Sequence, residues 1–317
     1  MAYTADDLVT AVRRRAKRPS ASADGKVSDE DILSLANEEM STVIVPFVLR
    51  AMEEYYIRSE DLTPDSNNEV RIPSRAVAGA VRDVTFVSSD GQETSLPEIA
   101  LEDEPIFQFT NSALSHRRVG YSFRGDKIRI LPTGTSGGTI RIKYAWRPGR
   151  LVKTTDGDVE AVTSVTEGAS STTLTVAATP ADWKVIGGPN LDIVQTNPNF
   201  DLLLLDTAPS ATTATSVTFG STGLGVSAGD YIAETGLSPI VQCPVEVQPI
   251  LNSATVIRVL YLAGDYEIAR FEEAKLKQQT DAVSFLFDPR NYGETKKIVS
   301  RYSALRAGGR YRGGYGY

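Results

Sequence analysis

Apolar residues near the start of the chain recur every three or four positions, the signature of a helix with one buried face. Leu8, Val12 and Ala16 follow Thr4, which is placed to cap, and Asp6 and Asp7, which suit the positive end of a helix. The predicted helix covers 4–18. The run Arg13–Arg18 suits its negative end, and Pro19 stops it. A second helix starts at Ser28, where Ser-x-x-Asp reads as a capping box. Its stripe of Ile32, Leu35, Ala36, Met40, Val43 and Ile44 resumes after Pro46 as Phe47, Leu49, Met52, Tyr55 and Tyr56. That predicts one long helix, kinked or broken at the proline. Residues 1–58 therefore read as an α-hairpin.

From residue 68 the period falls to two. Val70–Pro73 reads as a short strand. Val81–Val87 alternates before a turn at Ser89-Asp90-Gly91, and a short helix follows Pro97. Val119–Phe123 and Lys127–Leu131 flank Gly125-Asp126 as a hairpin, and Thr139–Trp146 pairs back through the loop 132–138. The expectation is one small antiparallel sheet. Residues 151–240 are rich in Thr, Ser, Val, Ala, Gly and Asp. Alternating runs at 159–166, 172–177, 191–195, 201–205, 214–219 and 229–233 predict an inserted all-β domain, a sandwich or a barrel. Helical spacing returns after Pro244 with Val247, Ile250, Leu251, Ala254, Ile257, Val259, Leu260 and Leu262. Gly264-Asp265 interrupts it, and Tyr266 to Phe287 forms a further helix ended by Asp288-Pro289.

This order predicts an α+β fold: an N-terminal α-hairpin and C-terminal helices packed with a small antiparallel sheet. The discontinuous core takes 1–150 and 241–289, the β insertion 151–240, and an extended C-terminal tail 290–317. Composition is ordinary for a globular protein, with 41% hydrophobic and 23% charged residues over 317 positions, so global disorder is excluded. One Cys and one His exclude an internal disulfide framework and a His-His metal face. No uncharged apolar run reaches the roughly 18–20 residues that span a bilayer. The first residues carry no basic start followed by an apolar stretch, so no secretory leader is predicted. The expectation is a soluble protein made in a reducing compartment.

The net charge of −7 is unevenly spread. Residues 290–317 hold seven bases and one acid, whereas 151–240 hold two bases and ten acids. A basic tail on an acidic body points to an acidic protein or nucleic-acid partner, or to a solvated end. Candidate chemistry is sparse. Gly134–Gly138 lacks the Gly-Lys-Ser/Thr of a phosphate loop. His116 sits beside Arg117 and Arg118 without a nucleophile elbow, and Cys243, before Pro244, reads as a buried structural thiol. The acids Glu102-Asp103-Glu104, Glu272-Glu273 and Asp156/Asp158 are too close in sequence to make an acid–base pair, and 156–158 lacks the rest of a calcium loop. No catalytic constellation, metal site or cofactor is predicted, so the chain does not read as an enzyme. Arginine, glycine and tyrosine mix in the tail as in nucleic-acid-binding segments, and Arg and Tyr also anchor protein interfaces.

The sequence resembles the head-to-tail adaptor (connector, tail tubular) family of tailed bacteriophages. The residues that carry the resemblance are Ala51–Tyr56 at the end of the hairpin, Glu69–Pro73 ahead of Val81–Val87, Tyr121–Pro132, Ile140–Pro148, and Asp288-Pro289-Arg290 before the basic tail. It covers roughly 1–150 and 241–317, and residues 151–240 are longer than in the smallest members. The resemblance implies a structural virion protein at the head–tail interface, made in the host cytoplasm. It implies a twelve-fold homo-oligomeric ring beneath the portal protein, a lower face that receives the tail nozzle or tail-hub protein, and a central channel for viral DNA. No membrane is involved. Portal docking falls on Arg290, Lys296, Lys297, Arg301, Tyr302, Arg306, Arg310, Tyr311 and Arg312. The alternative is a nucleic-acid-binding protein using the same tail and Arg13–Arg18. A carbohydrate-processing enzyme would need a carboxylate pair that the sequence does not display.

Overall fold

A computed structural model describes residues 2–17, 27–52, 54–104, 120–131, 138–185, 187–196 and 202–287. It is 31% helical and 34% strand, with the helices at the two ends of the chain, which makes the fold α+β. Helix α1 (Ala5–Arg15) and helix α2 (Asp29–Glu39) each open on a capping box. Asp7 N–H donates to Thr4 Oγ1 at 3.1 Å, Asp31 N–H donates to Ser28 Oγ at 3.0 Å, and each aspartate accepts the cap residue's own N–H in return. These bonds satisfy donors that no helical carbonyl can reach.

Helix α2 runs through a wide π-helical turn, Met40–Ile44, into α3 (Val45–Ala51). The expected kink is this turn: Pro46 has no N–H to give, and one extra residue is looped out before it. The Asp29–Ala51 helix is long and apolar enough to resemble a membrane span. Its Ile32, Leu33, Ala36, Met40, Ile44, Val45 and Val48 are core residues here. The helix ends at Ala51 rather than near Tyr56, and Ile57 already begins a strand.

The strands are β1 (Ile57–Leu62), β2 (Glu69–Arg71), β3 (Ala76–Ser88), β4 (Glu93–Ser95), β5 (Gly120–Arg124), β6 (Lys127–Leu131) and β7 (Gly138–Trp146). They form two sheets where one was expected, in the orders β1-β7-β3-β4 and β2-β6-β5. The hairpin β5–β6 is as predicted, but β7 turns away from β6 and pairs with β1 and β3. Burial accompanies this pairing: between β1 and β3, Ile140, Ile142 and Tyr144 of β7 lie in the same core cluster as the helices. A bulge in β3 between Ala76 and Val81, where Ala78 and Gly79 both have positive φ, bends that strand over the core.

The chain leaves this body at β8 (Arg150–Leu151) and returns at β16 (Leu237–Ser238), and these two short strands pair in parallel. Asn37 of α2 bonds the backbone of Leu151 through both ends of its amide. Between them lie β9 (Val159–Glu167), β10 (Thr172–Val176), β11 (Leu191–Val194), β12 (Leu202–Thr207), β13 (Ala211–Thr212), β14 (Ser216–Phe219) and β15 (Tyr231–Glu234). All six alternating runs are strands. They make one antiparallel sheet, β12-β11-β15-β9-β10-β14-β13, curled into a half-barrel rather than a two-layer sandwich or closed barrel. Its concave filling, with Val162, Leu174, Trp183, Ile193, Val217, Phe219 and Ile232, is a separate hydrophobic cluster.

Helix α4 (Gln248–Ala263) is the central rod, and every residue from Ile250 to Ile257 is buried. It starts one turn later than Pro244 suggests, with Pro249 in its first turn. Its buried polar groups are paired: Asn252 accepts from Tyr3 Oη at 3.0 Å, Ser253 donates to Gln279 at 2.9 Å, and Thr255 donates to the Leu251 carbonyl at 2.9 Å. Gly264, at φ 86°, closes the helix in the left-handed conformation that glycine adopts without strain. Helix α5 (Tyr266–Phe287) then folds back along α4.

Candidate interaction surface

The nine tail residues predicted to dock, Arg290, Lys296, Lys297, Arg301, Tyr302, Arg306, Arg310, Tyr311 and Arg312, lie outside the described residues, as do His116, Arg18 and the loop 132–137. What the structure describes is the helix that precedes the tail in the chain. Helix α5 ends at Phe287, three residues before Arg290. It lies on α4 through Ala269, Leu276 and Val283, and Ala269 is its one fully buried side chain among those described. Phe271 and Phe285 are 70% and 80% exposed. Leu262, Tyr266 and Ile268 extend that apolar exposure to the α4–α5 turn.

The Arg13–Arg18 run is committed to the fold in part, with Arg14 and Lys17 exposed. Arg13 is buried, donates to Asp29 through Nε at 2.7 Å, and reaches the Val27 carbonyl. Arg15 donates to Ser253 of α4 at 3.0 Å. Burial works against ionisation of Asp29, but the hydrogen bonds from Arg13 and Lys153 outweigh it and hold the carboxyl below its ordinary range. Two of the run's guanidinium groups therefore fasten helices together rather than face a ligand.

The acids of the insertion divide in the same way. Asp192 and Asp230 are buried. Asp230 accepts the N–H groups of Thr196 at 2.9 Å and Ser227 at 2.8 Å, which explains the Gly229-Asp230 strand start. Asp192 accepts from Asp206 N–H at 2.8 Å and Gly236 N–H at 3.1 Å, and forms an ion pair with Arg75. Arg75 sits beside the Trp146 ring, 5.5 Å from its centroid, with Arg58 at the same distance. Asp158, Glu167, Asp182 and Asp206 are exposed, so part of the negative charge does face outward. Asp156 closes the turn 153–158 by accepting from Lys153 N–H at 2.9 Å.

Two clefts of about 290 Å³ flank Arg75. One lies between α2 and the 147–150 segment, lined by Asn37, Met40, Ser41, Arg75, Arg147 and Arg150. The other opens between β1 and β12, with Arg58, Glu60 and Tyr144 in its wall. Burial raises the Glu60 carboxyl despite its hydrogen bond from Tyr144.

The remaining sequence candidates resolve into structure. Glu104 is buried and bonded to Ser122, Arg124 and Arg129, so it pins β5 and β6 rather than standing in a solvated acid run. Glu272 pairs with Lys275, and Glu273 accepts from Tyr261. Cys243 is buried, and burial pushes its thiol well above the ordinary range, which leaves little thiolate to react. Among the described residues no group of three His, Cys, Asp or Glu side chains could hold a metal ion. The Arg75–Asp192 pair is what sequence reasoning missed: 117 positions separate the partners, and neither belongs to a motif. No protein-family model and no curated protein matches this chain.

Proposed function

We propose that this chain is a structural virion protein, a head-to-tail adaptor whose copies form a ring joining the portal to the tail. The observation that carries this reading is the run of seven bases and one acid in 290–317, which follows directly on a long helix with an apolar outer side. Such a segment gains order on a partner rather than on itself. Twelve copies would multiply a modest contact by avidity. In this reading the α+β body forms the ring, and residues 290–317 dock on the portal through Arg290, Lys296, Lys297, Arg301, Tyr302, Arg306, Arg310, Tyr311 and Arg312. The half-barrel meets the tail nozzle or decorates the ring. Its exposed acids suit a channel through which DNA slides, because like charge repels phosphate.

Removal of 290–317 tests the proposal. The truncated chain is expected to stay folded, with Trp146 and Trp183 still buried, and to lose its attachment to the portal. Crosslinks from Lys296 and Lys297 in the native assembly are expected to reach a portal-like ring protein. Full assembly by the truncated chain would refute the docking. The nucleic-acid reading is the weaker one because Arg13 is buried against Asp29 and Arg15 is bonded to Ser253, which takes two guanidinium groups of the run. It predicts salt-sensitive DNA binding that is lost with the tail arginines.

A further inference from the structure

Helix α5 has two apolar faces, and among the described residues only one has a partner. Ala269, Leu276 and Val283 lie against the body. Phe271, Ala274, Gln278, Ala282 and Phe285 are all exposed. At 3.6 residues per turn these five fall within an arc of about 80° on the side away from α4. They form an uncharged seam about 21 Å long. Their order reads the same in both directions about Gln278: aromatic, small, amide, small, aromatic, with spacings 3, 4, 4 and 3.

A seam with that symmetry is complementary to itself. We propose that two copies of this chain pair antiparallel along α5, about a two-fold axis passing at Gln278. The axis sets Phe271 of one copy toward Phe285 of the other, Ala274 toward Ala282, and the two Gln278 amides against each other. A carboxamide has both a donor and an acceptor, so two of them can hydrogen-bond across the axis. Alanine on both sides lets the backbones approach closely. In an antiparallel pair each edge of the seam faces the same edge of its mate. On one edge Lys277 therefore comes near Asp281 of the second copy, so opposite charges flank the axis.

The area supports a weak dimer. Four phenylalanines, each with most of its roughly 200 Å² exposed, contribute about 600 Å². The alanines and the Gln278 methylenes bring the total near 1,000 Å², the lower limit for a specific interface. Area alone does not set affinity, and a contact at this lower limit belongs with weak, reversible association. An isologous contact closes at two copies and cannot propagate into a ring. The pairing therefore belongs to the free chain and does not rest on the adaptor reading.

Gln278→Cys in the full chain tests it. Native Cys243 is buried and silent. Helices packed about 9–10 Å apart, as phenylalanine at the contact requires, bring facing Cα atoms to about 4.4–5.4 Å, within disulfide range. The expected result is a disulfide-linked dimer under mild oxidation at tens of micromolar protein. Ala274→Cys mixed with Ala282→Cys is expected to crosslink, and either alone far less. Phe271→Glu with Phe285→Glu, both at exposed positions, is expected to weaken association at least tenfold in sedimentation. The proposal is overturned if Gln278→Cys crosslinks no faster than Ser170→Cys in the exposed β9–β10 turn. It is also overturned if the double glutamate variant associates as the parent does.

Discussion

Asp192→Asn is the most informative single change in this protein. The carboxylate is fully buried, pairs with Arg75, and accepts two backbone N–H groups, Asp206 from β12 and Gly236 from the segment before β16. Arg75 is also buried and donates to the Arg147 carbonyl at 3.0 Å. The pair therefore ties the half-barrel to the body beside Trp146. Asparagine keeps the shape but removes the charge, leaving a guanidinium with one partner fewer away from water. Breaking a buried pair from one side costs about 3–5 kcal/mol. With a urea dependence near 3 kcal/mol/M, the unfolding midpoint should fall by about 1–1.7 M. The two tryptophans report the two cores separately, Trp146 in the body and Trp183 in the half-barrel. Variants retaining one tryptophan each would follow both cores by fluorescence. Arg75→Met added to Asp192→Asn removes the stranded charge and should recover at least half of the loss. A change below about 1 kcal/mol on Asp192→Asn, or a double variant no better than the single, would show that this pair does not hold the two cores together.

Three further outcomes are expected. Gly120→Ala should destabilise by about 1–3 kcal/mol in urea, because a Cβ there would lie 2.4 Å from Ile99 Cδ1 and 2.7 Å from the Pro97 carbonyl oxygen; an unchanged midpoint would contradict that packing. Hydrogen bonding from Arg124, added to by Ser122 and the nearby Arg129, outweighs burial and holds the Glu104 carboxyl below its ordinary range. Its contribution is therefore complete above the unfolded value near 4.3 and is lost as pH falls through the lower folded value. Denaturation measured between pH 7 and pH 3 should show a steeper acid loss in the parent than in Glu104→Gln. Ser28→Ala removes the cap of α2 and should cost about 1 kcal/mol, read as a lower melting temperature.

The local elements were legible because their signals are local. A capping box, a two-residue period and a glycine at a helix end each act within a few positions, so Thr4, Ser28, Gly264 and the six runs of the insertion could be placed from the chain itself. Strand β1 escaped because Arg58-Ser59-Glu60-Asp61 has no apolar alternation of its own. It is a strand because β7 offers it a ladder from Ile57–Ala145 to Leu62–Ile140. The Arg13–Arg18 run shows what a charge count leaves open, since only the packed chain shows that Arg13 bonds Asp29 and Arg15 bonds Ser253 while Arg14 and Lys17 stay exposed.

By itself the sequence determined the class of the fold, the helix and strand boundaries near caps and turns, the acidic all-β segment, and the basic segment after α5. All of these follow from composition or from interactions between near neighbours. Only the tertiary structure decided that the first strands divide into two sheets. It also decided that Arg75 meets Asp192, that Glu104 is buried among arginines, and that α5 turns a second apolar face outward. Those depend on which surfaces compete for the same core. Burial is a property of the whole packed chain, and no window of sequence contains it.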